Sequence, residues 1–80
     1  PNIGLVKRAL ADPATAAFVK GIGVQWAGKG ALHDIGRDFP AMAIWGTEQE
    51  CGDGANDWRY ARYAWDLIKR YMLAGASAYH

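Results

Sequence analysis

Two glutamates stand where an apolar segment of the chain gives way to a polar one. Glu48 and Glu50 follow the segment 42–47. Paired carboxylates suit glycoside hydrolysis, in which one protonates the leaving oxygen and the other attacks the anomeric carbon or activates water. Two side chains from one short segment leave no room for a sugar between them, so the partner of Glu48 should come from another strand. The alternative is that both glutamates are solvated residues of a turn.

Three tryptophans are candidates for sugar binding. The faces of Trp26, Trp45 and Trp58 could form a platform, because aromatic rings pack on the apolar faces of pyranose rings. Tryptophans at strand or helix spacing are also typical of a hydrophobic core. Gln25, directly before Trp26, is the single polar residue of the segment 21–26. We therefore expect its side chain to point to a special location.

Other chemistries find little support in the residues. The chain has one cysteine, Cys51, with no nearby histidine to activate it, so neither a thiol nucleophile nor an internal disulfide is expected. His33 stands beside Asp34 and is expected to be solvated, and His80 is the final residue. The spacings of metal sites and phosphate-binding loops do not occur. We expect no cofactor and no metal.

Composition narrows the classes of partner. A chain of 80 residues with 51% hydrophobic residues predicts one small packed domain at most. A formal net charge of +1 gives no field that would attract nucleic acid or an anionic membrane. No apolar stretch approaches the ~20 residues of a membrane span. The chain starts without Met and without a signal peptide pattern, which predicts a piece of a longer protein and leaves its localisation open.

The pattern predicts helices that alternate with strands. Asp12 and Pro13 have the types of an N-cap and a first helical residue, and Pro40 ends a later helix. The predicted segments are a helix over 13–20, a strand over 21–26, a loop over 27–30, a helix over about 32–39, a strand over 42–47 that is covered on both faces, a long helix to about 73, and an extended segment over 76–79. Either Asn56 or Asp57 can cap the long helix, which ends near Gly75.

The long last helix is predicted to be amphipathic. Its apolar stripe follows a spacing of three and four residues, through Trp58, Ala61, Trp65, Ile68 and Met72.

This alternation predicts parallel strands with helices packed outside them. A complete (β/α)8 barrel takes about 250 residues, so these units are too few to close one. Active sites of such barrels lie at the C-terminal ends of the strands. Glu48 and the pair Gln25 and Trp26 both fall at that end.

Three stretches of the sequence are distinctive: Val-Lys-Gly-Ile-Gly-Val-Gln-Trp (19–26), Asp-Phe-Pro (38–40) and Ile-Trp-Gly-Thr-Glu-Gln-Glu-Cys (44–51). They closely resemble the C-terminal part of the catalytic barrel in glycoside hydrolase family 30, the glucosylceramidase-like enzymes. The similarity continues in the same order through Trp58, the long helix and residues 75–79. The resemblance implies a fragment of a (β/α)8 barrel from strand six (21–26) through strand seven (42–47) to the start of strand eight (76–79).

The resemblance also implies an activity and site residues. Members are retaining β-glycosidases whose nucleophile follows Thr or Ser at the end of strand seven, the place of Glu48 here. Trp26 is then expected to line the substrate pocket near the nucleophile, with Gln25 as the second substrate-binding residue. The substrate would be a β-linked carbohydrate or a glycolipid, and secretion is plausible by resemblance alone.

The chain departs from the family pattern in two places. Many members have His-Trp-Tyr where this chain has Gln25, Trp26 and Ala27. The general acid/base belongs to an Asn-Glu pair on strand four, and no Asn-Glu occurs in these residues, so the isolated chain is expected to be inactive. The alternative is a non-catalytic module that binds carbohydrate or a protein. In either case, strands without barrel neighbours favour self-association.

Overall fold

The structure is a computed structural model that describes residues 3–50 and 53–80. This part of the chain forms a small α/β fold in which helices alternate with strands. The α-helices are α1 (Gly4–Ala11), α2 (Pro13–Ala16), α3 (Leu32–Asp38) and α4 (Trp58–Leu73), and a 3₁₀ helix spans Trp26–Ala31. The strands are β1 (Gly21–Gln25), β2 (Ala43–Glu48) and β3 (Ala78–Tyr79).

The strands form one open parallel sheet in the order β1, β2, β3. The predicted alternation and the parallel pairing are therefore confirmed. Because the strands are parallel, their C-terminal ends meet at one edge of the sheet. β1 ends there with Gln25 and β2 with Glu48.

Side-chain caps fix the starts of two helices. The carboxylate of Asp12 accepts hydrogen bonds from Ala14 N at 3.2 Å and from Thr15 Oγ1 at 2.8 Å, and Pro13 follows at the first helical position. Asp57 begins α4 in the same way, because its Oδ1 accepts from Tyr60 N at 3.0 Å. These contacts satisfy backbone N–H groups that have no partner within the helix.

The core lies on one face of the sheet. Ile22 and Val24 of β1 and Ile44 of β2 point into it. The other buried members of this cluster are Ala31, Leu32, Ile35, Tyr71 and Ala76. Burial of these apolar side chains is the main force that holds the helices on the sheet.

The opposite face of the sheet is open in the part of the chain that the structure describes. Trp45 lies across Gly21, where a Cβ atom would stand 2.7 Å from the indole ring. A side chain at this position would therefore force the indole ring of Trp45 to move. Thr47 lies over Gly23 in a similar way, at 3.2 Å from the position of a Cβ.

The prediction that the strand over 42–47 is covered on both faces is wrong. In β2, Ile44 and Gly46 are buried, whereas Trp45 and Thr47 are exposed. The reason is that the core cluster occupies only one side of the sheet. An apolar run of this length does not reveal whether one face or two are covered.

The apolar stripe predicted for the long helix is not the face that packs on the sheet. Leu67 and Tyr71 are the buried residues of α4, while Trp58 and Trp65 are 85% and 59% exposed. Tyr71 lies about 100° round the helix from Met72. Its ring packs edge-on against the ring of Tyr79, with the centroids 5.2 Å apart. The spacing of apolar residues along the sequence does not reveal a contact between two tyrosines.

Three further differences concern element boundaries. The helix predicted over 13–20 ends at Ala16. The segment predicted as a loop over 27–30 belongs to the 3₁₀ helix. Helix α1 was not predicted, because Ile3 at its N-cap makes no side-chain capping bond and has no recognisable cap chemistry.

Candidate functional site

The carboxylate of Glu48 lies at the C-terminal edge of the sheet, next to the end of β1. Gln25 and Glu48 are backbone partners across the two strands. The register shifts just before them, because Val24 pairs with Gly46 and Thr47 is skipped. Such bulges are over-represented next to active sites, where they redirect a side chain.

Trp26 donates its indole N–H to Glu48. The distance from Trp26 Nε1 to Glu48 Oε1 is 2.9 Å. The hydrogen bond holds one carboxylate oxygen and leaves the other without a protein donor among the described residues. Glu48 itself is exposed, so its carboxylate faces solvent rather than the core.

The backbone of Trp26 is strained. Its φ of +40° lies in a region that L-residues with a Cβ rarely adopt. Such residues cost on the order of 1–3 kcal/mol and persist only where the surrounding structure fixes them. Trp26 is also 51% exposed, so burial of its ring does not explain the conformation.

Glu50 is tied to two neighbouring elements. Its Oε1 accepts from Lys29 Nζ and from the hydroxyl of Tyr63, both at 2.5 Å. The Lys29 ammonium first, and then the Tyr63 hydroxyl, lower the pKa of Glu50 from 4.5 to about 2. At neutral pH Glu50 is therefore a carboxylate with no proton to give.

Gln49 connects the same segment to the core. Its Nε2 donates to the hydroxyl of the fully buried Tyr71 at 2.6 Å and approaches Val24 O at 3.5 Å. Residues on both sides of Glu48 are thus held, because Thr47 Oγ1 also donates to Val24 O at 3.4 Å. Glu48 projects from an anchored stretch of backbone.

The structure brings together the three residues singled out from the sequence. Gln25 pairs with Glu48 through the strand register, and Trp26 bonds to it directly. The side chain of Gln25 is exposed at the same edge. Their roles in substrate binding stay predictions.

The tryptophans do not form one platform around Glu48. Trp45 lies on the open face of the sheet over Gly21. Trp58 lines a separate hollow on α4 together with Ala61, Arg62 and Trp65. The alternative that these tryptophans are core residues is wrong for all three, because Trp26, Trp45 and Trp58 are 51%, 39% and 85% exposed.

The sequence pattern does not predict the hydrogen-bond partners of Lys29, Gln49 and Tyr63. Lys29 was placed only in a loop between glycines. The available signal was that Lys29 is a single cation close to the end of one strand, while Glu48 and Glu50 lie at the end of the next. Tyr63 offered none, because its contact with Glu50 depends on how α4 lies beside the sheet.

The remaining candidates from the sequence add no site. His33 is exposed, with its Nδ1 3.9 Å from Asp34 Oδ1. Cys51 lies outside the described residues. Within residues 3–50 and 53–80, no cluster of His, Asp and Glu side chains could hold a metal ion, and no helix is long and apolar enough to cross a membrane.

Comparison with known proteins gives no further guidance: no protein family model, no curated protein and no solved structure matches the chain.

Proposed function

We propose that this chain is part of a retaining β-glycosidase of the glycoside hydrolase family 30 type, with Glu48 as the catalytic nucleophile. One observation carries the proposal. Glu48 stands exposed at the C-terminal end of a parallel strand, with a single carboxylate oxygen bonded to Trp26 Nε1. A carboxylate held at one oxygen presents the other to an incoming carbon atom.

The proposed architecture is a fragment of a (β/α)8 barrel in which β1, β2 and β3 are strands six, seven and the start of eight. The open parallel sheet, with its core on one face, supports this assignment. In a barrel the other face, which bears Trp45 and Thr47, would point inward and be covered by the remaining strands. The C-terminal edge with Glu48 would then be the active-site face.

The proposed reaction has two steps. The free oxygen of Glu48 forms a bond to the anomeric carbon as the bond to the leaving oxygen breaks, and the acid/base protonates that oxygen. In the second step the acid/base takes a proton from water, whose oxygen attacks the same carbon and releases Glu48 as a carboxylate. Two inversions at one carbon retain its configuration.

The acid/base must come from outside these residues. Glu50 is excluded because its lowered pKa, about 2, and its bonds to Lys29 and Tyr63 keep it ionised. In the complete barrel we expect a second carboxyl group about 5–5.5 Å from that of Glu48. The isolated chain, which lacks it, is expected to be inactive.

The proposed substrate is a β-linked carbohydrate or glycolipid. Trp26 offers an exposed aromatic face beside the nucleophile, and Gln25 offers an amide that can bond to a sugar hydroxyl. Neither residue needs a cofactor or metal for these roles. The substitution of Gln25 and Ala27 for the usual His and Tyr would alter the hydrogen bonds around the sugar.

Substitution of Glu48 tests the proposal. In the complete barrel, Glu48→Gln should lower kcat by about 10³-fold or more while the melting temperature stays close to that of the wild type, because the side chain is exposed. Glu50→Gln is the matched control and should retain far more activity. Wild-type turnover by Glu48→Gln on an aryl β-glycoside would contradict the assignment.

A non-catalytic binding module is the second candidate, favoured by the exposure of Trp58 and Trp65 on one hollow of α4. It predicts that β-glycan binding, measured by calorimetry, survives Glu48→Gln and is lost with Trp58→Ala. The enzyme proposal predicts no dependence on Trp58.

A further inference from the structure

One cation, Lys29, ties the segment after Glu48 back to Trp26. Lys29 Nζ donates to Trp26 O at 3.0 Å and to Glu50 Oε1 at 2.5 Å. Glu50 is two residues from Glu48, which itself accepts from Trp26 Nε1. The three hydrogen bonds and the backbone of residues 48–50 therefore form a closed ring.

The ion pair in this ring is shielded from water. The side chains of Lys29 and Glu50 are only 18% and 21% exposed, so salt screens their attraction less than it would screen an exposed pair. The hydroxyl of Tyr63 donates to the same Glu50 oxygen and joins the ring to α4. Each side chain of the pair thus has a second hydrogen-bond partner that fixes its position.

Trp26 is the member of the ring that needs to be held in place. Its positive φ is disfavoured, and such a backbone is maintained only by surrounding contacts. The Lys29 ammonium bonds to the carbonyl of that same residue. Lys20 makes a comparable contact to the residue three before it, Ala17 O at 3.0 Å, but at the opposite end of β1.

We propose that Lys29 is a positioning residue for Glu48. By bonding both Trp26 O and Glu50, it keeps the indole N–H of Trp26 on Glu48 Oε1 and the other oxygen free for attack. The inference rests on the proposed function, in which Glu48 is the nucleophile. Lys29 does not touch the sugar, and its loss releases the indole N–H from Glu48 while the ring of Trp26 remains at the site. Attack should therefore slow far more than binding weakens.

Covalent inactivation of the complete barrel by a 2-fluoro β-glycoside measures both quantities. We expect Lys29→Met to lower the maximal inactivation rate about tenfold. The half-saturating concentration of the inactivator should stay within about twofold. Lys20→Met is the matched control and should behave like the wild type.

A double-mutant cycle separates the ring from unrelated effects. Glu50→Gln retains an acceptor for Lys29 but not the charge, so it should slow inactivation less than Lys29→Met. The double variant should be no slower than Lys29→Met alone, because both changes break the same link. Additive effects would contradict a shared role.

The outcomes distinguish this inference from the proposed function. Label on Glu48 at the wild-type rate in Lys29→Met, or a change only in the half-saturating concentration, overturns the role of Lys29 and leaves the nucleophile in place. Absence of label on Glu48 in the active wild type overturns both. If Lys29→Met does not fold, Glu50→Gln and Tyr63→Phe each remove one feature of the ring with little change of shape. Loss of folding in those variants too would show a purely structural role.

Discussion

At the scale of single residues, the arrangement around Glu48 depends on one donor and one ion pair. Trp26 holds the carboxylate oxygen, and Glu50 is engaged by Lys29 and Tyr63. Two glutamates that are only two positions apart in the sequence therefore have different environments. Glu48 is open to a ligand, whereas Glu50 fastens the segment that carries it.

Removal of the indole donor should affect catalysis more than folding. Trp26→Phe keeps an aromatic ring but lacks the N–H that bonds to Glu48, so the carboxylate loses its fixed orientation. In the proposed glycosidase we expect kcat to fall about tenfold. Trp58→Phe is the control, since Trp58 lies apart from the site. Steady-state rates that are equal in both variants would contradict a role for the hydrogen bond.

Glu50 should make stability depend on pH in the acidic range. Its pKa is lowered on folding from 4.5 to about 2, so the folded state favours the ionised form. This stabilisation is complete above pH 4.5 and is lost as the pH falls towards 2. The difference in unfolding free energy between wild type and Glu50→Gln should therefore become smaller as the pH falls from 4.5 towards 2.

Urea unfolding followed by circular dichroism measures this difference at about pH 6 and about pH 2.5. The pKa of Asp38 is also lowered, by hydrogen bonds from Arg37 and Lys7, but that contribution is common to both proteins. Lys29→Met should show a weaker pH dependence than the wild type but a stronger one than Glu50→Gln, because the Tyr63 hydroxyl still lowers the pKa of Glu50. A difference that stays constant with pH would mean that the ion pair does not form.

At the scale of elements, the parallel strands bring the ends of β1 and β2 to one edge, and α4 supplies the residues behind it. Tyr71 of α4 reaches Gln49, and Tyr63 reaches Glu50. The position of α4 along its axis therefore decides whether the segment after Glu48 is held.

Loss of the N-cap should destabilise α4. Asp57→Ala removes the acceptor for Tyr60 N, and we expect the free energy of unfolding to fall by about 1 kcal/mol. Asp66→Ala on the same helix removes only an exposed ion pair with Lys69 and should change stability by less than about 0.5 kcal/mol. Equal effects in denaturant unfolding would contradict the capping role.

Helices with capping residues at their ends were predictable from the sequence, whereas the faces by which they pack were not. Asp12 with Pro13 located one helix start, and the choice between Asn56 and Asp57 located the other, which the structure assigns to Asp57. Gly75, with φ of +91°, closes α4 as expected of a C-terminal glycine. Helix α1 lacks such a signal. The buried face of α4 was missed because Tyr71 packs through its ring and hydroxyl, which apolar spacing does not register.

The site was predictable to a similar extent. The position of Glu48 after a strand placed it at the sheet edge, and the parallel pairing placed Gln25 beside it. Trp26, which donates the hydrogen bond to Glu48, has a positive φ, and a tryptophan gives no sign of that conformation in the sequence. The ring through Lys29 joins residues about twenty positions apart and appears only once the chain has folded.

At the scale of the whole molecule, the chain is less compact than an independent domain of its length. Its radius of gyration is 14.0 Å, and its longest dimension is 47 Å. A compact domain of this size would have a radius of gyration of about 12 Å. The open sheet face with Trp45 is consistent with the proposal that further strands complete a barrel.

The most direct test is to locate the covalent bond. The complete protein would be expressed, inactivated with a 2-fluoro β-glycoside, digested and mapped by mass spectrometry. We expect one added glycosyl group, on Glu48. An active enzyme that carries the label on another residue, or no label at all, would contradict the assignment of Glu48 as the nucleophile.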